Sequence, residues 1–596
     1  MSTTDSAALT AFFAHYYARN PVNATFTGVH SFDGELPNWS RAARSAEAVE
    51  MRTLHAELSR AHPLPAGGVS ESRDAPLALD AELARANLDV RIAEYESGFF
   101  HDRNPALWTG EAIFGAVSLM IREFAPAAER LPSLTARLAA VPTFLQSMRD
   151  TISQPVPERW RDRAVRECDA AAALFGDGLD GWLAVSFPRH EVASDSSAAR
   201  RDESEVSDVS DGRREQFDAL RTSAHAARTA FAECRSRLEV MPVASDDAYS
   251  AGEKLLGTLL SRGHFCTESP RTLLVRAEAA MMKEQRLLAE ALAQHGTDWT
   301  GALATMAADR PAASAYYGAF ARRWEQIRAG VLARDAVTWP QWPIRYVPIP
   351  KWARNAAPAL YWLFYRSPAP FDEFRVHEYV VMPVDDTIPA DEQQRRLALW
   401  NNSVITLNHV VHHGGVGHHV QNWHAVHRSS SRVGTIAAVD CASRIGMFLG
   451  GSMAEGWACY ATALADELGL LSPLESLSEQ HTRVRQLARA IVDLRLHLGD
   501  WSVSECERYH ALHTGMSAEA AAAETTKNSM FPGTALMYWL GTQGILDLRA
   551  RVRQTRGEAF SLREFHDELL GRGSTPVPLV TVLMTDGASM NEGASG

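Results

Sequence analysis

Residues 412–421 read His-His-Gly-Gly-Val-Gly-His-His-Val-Gln, and this stretch is the strongest compositional anomaly in the chain. Seven of the 22 histidines fall in the 19 residues from His409 to His427, where even spreading predicts about 0.7. Neutral imidazole is the commonest protein ligand for zinc and related metals, and two imidazoles with one carboxylate leave an open position for chemistry. On an uninterrupted helix at 100° per residue, His412 and His419 come within about 20° of alignment, whereas His412 and His418 are separated by about 600°. A straight helix therefore favours His419. Gly414, Gly415 and Gly417 weaken the helix, however, and a local widening or break brings His418 round instead. Both stay open as the second imidazole beside His412. The bland alternative is a His-rich surface helix that binds metal incidentally.

A third ligand is expected about forty residues on, where 453–460 read Met-Ala-Glu-Gly-Trp-Ala-Cys-Tyr. Glu455 opens an otherwise apolar helix, and a carboxylate among Trp457, Cys459 and Tyr460 is costly to bury unless it is paired or bound to metal. Its ordinary alternative is an N-terminal carboxylate facing the helix dipole.

Most of the remaining sequence reads as helix, with stripes such as Leu487, Ile491, Leu494 and Leu498. Strand signals are confined to Arg345–Pro350, Phe374–Val384 and Val577–Met584. The expected fold is mainly α with one small β-sheet. A polar, Ser/Asp/Arg-rich run over 193–214 reads as a flexible linker between an N-terminal helical lobe (1–192) and a helical body carrying the metal site (215–585). Residues 586–596 read as a disordered tail.

At 596 residues, 46% hydrophobic and 22% charged, the chain can bury a large core. Its net charge of −13 argues against nucleic acid or an anionic membrane as partner and leaves a small molecule or short peptide. Residues 1–21 lack a basic stretch followed by an apolar one, and no apolar run has membrane-spanning length, so neither export nor membrane spanning is expected. The six cysteines are scattered without C-x-x-C, which fits reduced thiols in a cytoplasm. Phosphate-loop, dinucleotide and serine-hydrolase signatures are missing. Cys506, His510 and His513 at i, i+4 and i+7 could bind zinc structurally, although such a trio is more often accidental.

These residues resemble the DUF885 family, bacterial metallopeptidase-like proteins related in fold to helical gluzincins, whose hallmark is H-E-x-x-P-G-H-H-x-Q followed by E-G-W-A-x-Y. The chain has H-H-G-G-V-G-H-H-V-Q and E-G-W-A-C-Y at 412–421 and 455–460. Pro21, Ala24, Thr25, Gly28, His30, Asp33, Leu36 and Pro37 are similar to the family's N-terminal pattern, and 368–372 to its P-A-P-L-D segment. Asp493 and His497, then Phe531-Pro532-Gly533 with Tyr538 and Gly541, and finally 562–567, continue the likeness. The resemblance implies a gluzincin-like two-lobed body with a deep central cleft. It also implies a divalent metal, zinc first, held by His412, one of His418 and His419, and Glu455. His497 and Tyr538 are implied as active-site polar groups, with Asp493 orienting His497.

The departures lie in the motif itself. The Glu that serves as hydrolytic base in H-E-x-x-H enzymes is His413 here, Val416 replaces proline, Lys527-Asn528 stands where Arg-Tyr is common, and Thr534 replaces Gln. The metal-holding set survives while the amide-splitting set changes. Imidazole titrates near 6.5, so His413 can take and return a proton. The leading expectation is a repurposed metalloenzyme acting on a small substrate by hydrolysis, cyclisation, elimination or rearrangement, with His413 as acid/base. A peptidase or amidase using His413 as base comes second, and a non-catalytic ligand-binding relative third.

Overall fold

The computed structural model describes residues 6–63, 75–188, 203–357, 367–373, 376–441 and 445–591, with the side chains of 75, 203–211 and 586–591 excepted. The chain is mainly helical, as composition and periodicity predict, with one two-stranded sheet. Strand β1 (Ile344–Pro348) pairs in parallel with β2 (His377–Val381), with Tyr346 opposite Tyr379. Strand β2 falls inside its predicted segment and β1 begins one residue ahead of its own; 374–375 lie outside the described residues. No described helix is long and apolar enough to cross a membrane.

The third predicted strand is a correction: Val577–Met584 lies inside a helix, Val577–Asn591. A short apolar run rich in valine fits a buried helix as well as a strand, and packing decides. Val577, Val580 and Met584, spaced three and four apart, enter the same core as Ile545 and Leu548, and among the described residues no strand pairs with this segment. That helix also occupies 586–591, where a disordered tail was expected; 592–596 lie outside the described residues.

The polar run at 193–214 resolves in a similar way. Residues 193–202 lie outside the described residues, and from Glu203 the chain is helix to Glu239. Leu220, Ala224, Ala227, Phe231 and Cys234 of that helix are buried in one core with Leu134, Leu138 and Cys168. The helix therefore packs with the N-terminal elements, and the core does not divide where the polar run does. Val433, Phe448, Val492 and Phe531 complete that same core. A second core surrounds the sheet and the helix Gly451–Glu467, and a third joins Pro270–Gln294 to Pro473–His497. A capping box fixes the start of the last helix, Ser472 and Glu475 each accepting the other's backbone N–H.

The N-terminal motif is a structural knot. Arg137, fully buried on the helix Ala127–Thr151, donates to the carbonyls of Glu35 (2.9 Å), Gly115 (3.0 Å) and Phe32 (2.9 Å) and to Thr25 Oγ1 (3.1 Å). Thr25 donates to Asp33 at 2.6 Å. His30 bridges Asp33 through Nδ1 (2.9 Å) and Asp372 through Nε2 (2.8 Å), stacked on Phe124. Gly28, at φ +90°, lets the backbone of Asp372 approach where a Cβ would collide.

Both His30 ring nitrogens donate only in the imidazolium form. Burial works against that charge, but the two carboxylates prevail and lift the pKa to about 9. A folded-state pKa above the unfolded value near 6.5 stabilises the fold fully below pH ~6.5, and that stabilisation disappears as pH rises through about 9. His30→Gln should therefore cost about 1–3 kcal/mol at pH 6 and markedly less at pH 10. Urea denaturation at the two pH values checks this, and an equal cost at both would contradict it.

Candidate metal centre

The histidine segment does not continue as one straight helix. Ile405–Gly414 is wound as a π-helix, with Ile405, Val410 and Val411 in the core. The chain then breaks at Gly415 and Gly417 and restarts as the α-helix His418–His427. At Gly417 a Cβ would overlap the carbonyl of His412, and at Gly414 it would overlap the Tyr346 hydroxyl. Glycine is required by close approach at both positions. The widened turn and the break rotate His418, rather than His419, onto the face of His412.

The result is a cluster. The His412 and His418 rings lie 4.9 Å apart at 90°, and the His413 ring lies 4.5 Å from His412 and 5.4 Å from His418. One nitrogen from each of His412, His413 and His418 falls within 4.8 Å of the others, and no second such group of His, Cys, Asp or Glu occurs among the described residues. Cys506, His510 and His513 are not gathered.

Glu455 completes the set from the helix Gly451–Glu467. Its Oε2 stands 3.2 Å from His412 Nε2 and 3.6 Å from His418 Nε2, yet is buried without an aligned hydrogen bond. Two contacts hold it there. Gly456 packs against Gly541 of the helix Leu536–Arg556 so closely that a Cβ on either would strike the backbone of the opposite helix. The indole N–H of the fully buried Trp457 donates to the carbonyls of Val416 (2.8 Å) and Gly417 (3.2 Å), tying the break between the histidine pairs to the glutamate's own helix.

The outer nitrogens are engaged as in metal sites, where the second nitrogen fixes the tautomer. His413 Nδ1 donates to the Asn408 carbonyl at 2.6 Å, His418 Nδ1 meets Gln421 Oε1 at 3.3 Å, and His412 Nδ1 lies 3.9 Å from Cys459 Sγ. Burial lowers the pKa of His413 well below the usual value, and its imidazole neighbours lower it further, so its Nε2 keeps a lone pair at neutral pH. Burial also lowers His412. For His418 burial acts downward, but Glu455 more than reverses it. Burial alone would raise Glu455; the His418 and His412 imidazoles hold it well below the usual range. The balance keeps Glu455 charged and His412 and His413 neutral, while that carboxylate draws His418 toward its protonated form.

His419 is turned away, fully buried, with Nε2 2.9 Å from the Trp342 carbonyl. Asp493 and His497 stand elsewhere too. Asp493 accepts from the backbone N–H of Gly533 and Ala535, both at 2.9 Å, and His497 Nε2 faces the Asn528 carbonyl at 3.3 Å. The pair is 3.5 Å apart, but the carboxylate serves the loop 531–535 rather than the imidazole. That loop opens the helix bearing Tyr538, so Asp493 acts on the site only by placing it. Tyr538 stands on the helix Leu536–Arg556, within the influence of the Glu455 charge. Burial, then the charge of Glu455, pushes its pKa well above 10 and keeps the hydroxyl protonated. Arg489 lies over its ring at 5.0 Å and forks onto Glu524. Neither Arg489 nor Glu524 follows from motif reading, since their pairing joins separate helices.

A sequence model of the family described as "Bacterial protein of unknown function (DUF885)" matches residues 21–584. No curated protein matches the chain. Among solved structures, a "putative lipoprotein of unknown function" from Shewanella oneidensis is similar at TM-score 0.72 and 18% identity, over 98% of this chain and 100% of that one. A "putative lipoprotein" from Colwellia psychrerythraea is similar at TM-score 0.71 and 15% identity, over 98% and 99%. These likenesses show a shared fold.

The glycine break generates a direct expectation. Gly417→Ala should lower stability by about 2 kcal/mol, because a methyl group must displace backbone rather than a flexible side chain. Chemical denaturation measures it; a change below about 0.5 kcal/mol would show that the break does not depend on that close approach.

Proposed function

We propose that this chain, which belongs to the DUF885 family, is a metal-dependent enzyme whose scaffold has been repurposed to act on a small molecule or short peptide, with His413 as acid/base. The observation that carries this reading is the convergence of His412, His418 and Glu455 with a buried carboxylate oxygen that lacks an aligned hydrogen bond. Nitrogen and carboxylate donors in that ratio fit zinc better than magnesium or calcium. The three residues would hold the ion, and when bound it supplies a Lewis acid that polarises a carbonyl of the substrate. The gluzincin-like two-lobed body with a deep central cleft belongs to the same reading. So does a cytoplasmic setting, in keeping with six free cysteines.

His413 supplies what the residues themselves can do to a proton. Its Nδ1–H is committed to Asn408, so Nε2 is the free basic atom beside the cluster. It takes a proton from a carbon or oxygen of the substrate and returns it at another atom, the task for which a neutral imidazole suits better than a carboxylate. Tyr538, held protonated, donates a hydrogen bond to negative charge developing on the substrate. Asp493 and His497, first expected in the reaction, act in this account only by positioning the helix of Tyr538.

Purified protein should bind about one zinc per chain. His412→Ala or Glu455→Ala should remove the ion with little loss of fold, whereas His413→Ala should keep it and lose activity by about 10²–10⁴-fold. Elemental analysis finding no stoichiometric metal after reconstitution would refute the centre, and loss of metal in His413→Ala would make His413 a ligand instead. His419→Ala should leave the metal in place.

Wild-type protein should turn over ordinary di- and tripeptides poorly, and His413→Glu should raise peptide hydrolysis. Cleavage of such a panel by the wild type at kcat/KM of order 10⁴ M⁻¹s⁻¹, with a rate increasing as imidazole deprotonates, would restore the peptidase reading.

A further inference from the structure

The helix Pro473–His497 carries two guanidinium groups one turn apart, Arg485 and Arg489. Arg489 is fully committed, with Nε and Nη2 donating to the two oxygens of Glu524 at 2.6 and 3.0 Å. Arg485 is not. Among the described residues it has no carboxylate within ion-pair distance and no hydrogen-bond partner, and its Nε is sealed from solvent. Glu524 is near enough to influence it, but that carboxylate is already forked by Arg489. Burial and the like charge of Arg489 lower its pKa to about 10, so it remains charged.

A second group beside it is also without a partner. His510 is fully buried on the helix Val503–Thr514, and neither ring nitrogen has a hydrogen-bond partner. Burial lowers its pKa to about 4, leaving a neutral ring with one N–H to offer; Glu524, Arg489 and Arg485 all act on it. Lys527 adds a further positive charge next to Glu524. Arg489, Arg485 and Lys527 thus share the influence of one carboxylate, and Arg489 lies over the ring of Tyr538 at 5.0 Å. Arg485 is part-buried, with its Nε sealed and its terminal nitrogens accessible, so a charge held there without a counter-ion is poorly compensated, and the unpaired buried imidazole of His510 adds to that cost. Such a cost is characteristic of a binding site, where the missing partner arrives with the ligand.

We propose that Arg485, assisted by the N–H of His510, forms an anion subsite adjoining the metal-ligand cluster and takes the carboxylate of the substrate. The planar fork of a guanidinium matches a carboxylate through two parallel hydrogen bonds. The substrate class is then a carboxylic acid of amino-acid or short-peptide type, its acid end at Arg485 and its reacting end at His412, His413, His418 and Glu455. This inference rests on the proposed metal-dependent function for the direction in which the substrate lies, but Arg485 itself is no metal ligand.

The test uses the full chain and two probes that differ only at the acid, N-benzoyl-glycylglycine and its carboxamide. Calorimetric titration of zinc-loaded and of metal-free protein should show the acid binding at least about tenfold tighter than the amide, and Arg485→Gln should bring the two within about twofold, at unchanged zinc content. Equal affinities in the wild type, no measurable binding of the acid, or a preference that survives Arg485→Gln would each overturn the proposal. Thermal melting guards against a structural role. Arg485→Gln and the volume-filling Arg485→Met should melt no lower than wild type, because each removes an uncompensated charge. A failure of both to fold would make Arg485 structural and would likewise overturn it. Loss of zinc binding with the acid preference intact would instead count against the metal centre alone.

Discussion

The indole N–H of Trp457, shared between the carbonyls of Val416 and Gly417, is the contact on which the candidate centre depends. Those carbonyls lie in the break between the two histidine pairs, and Trp457 is two residues beyond Glu455. One buried side chain thereby fixes the relative position of the π-helix, the α-helix that follows it and the carboxylate. The glycines do the complementary work by removing bulk, Gly417 against His412 and Gly456 against Gly541. The N–H of Trp324 adds a further tie, donating to the Gly414 carbonyl at 2.7 Å. A site assembled from helices, with its donors held by neighbours that are themselves packed, is suited to hold a fixed geometry.

Electrostatics point the same way. A carboxylate deep in the protein with imidazole on two sides, a tyrosine kept protonated and a guanidinium without a partner make up a region that contributes little to stability and much to potential chemistry. The opposite design holds Asp80, which accepts from Ser431 Oγ at 2.5 Å and from the backbone N–H of Arg432 and Val433 at 3.0 Å. Every oxygen of Asp80 is satisfied from within the fold. The contrast separates groups that close the structure from groups that await something else.

The sequence made the centre legible in its composition and only partly in its geometry. Histidine excess and the isolated Glu455 mark residues that do converge. Which histidine faces His412 could not be read from a 100° step, because a π-turn and two glycine positions change the rotation, and the structure turns His419 to Trp342 instead. Asp493 and His497 illustrate another limit: their i, i+4 spacing correctly places them together, yet the carboxylate is claimed by the backbone N–H groups of Gly533 and Ala535, forty residues away. Val577–Met584 reads equally as strand or helix until its neighbours are known. Arg485 and Arg489 pass unnoticed in a charged helical sequence, since only the pairing of Arg489 with Glu524 reveals that Arg485 is left over.

X-ray absorption spectroscopy of the zinc-reconstituted protein addresses the central claim most directly. The account predicts a first shell of nitrogen and oxygen at about 2.0–2.1 Å with the outer-shell signature of imidazole, and no sulfur. A sulfur scatterer at about 2.3 Å, as ligation by the adjoining Cys459 would give, or zinc surrounded by water oxygens without imidazole, would contradict the assignment of His412, His418 and Glu455 as the metal-holding set.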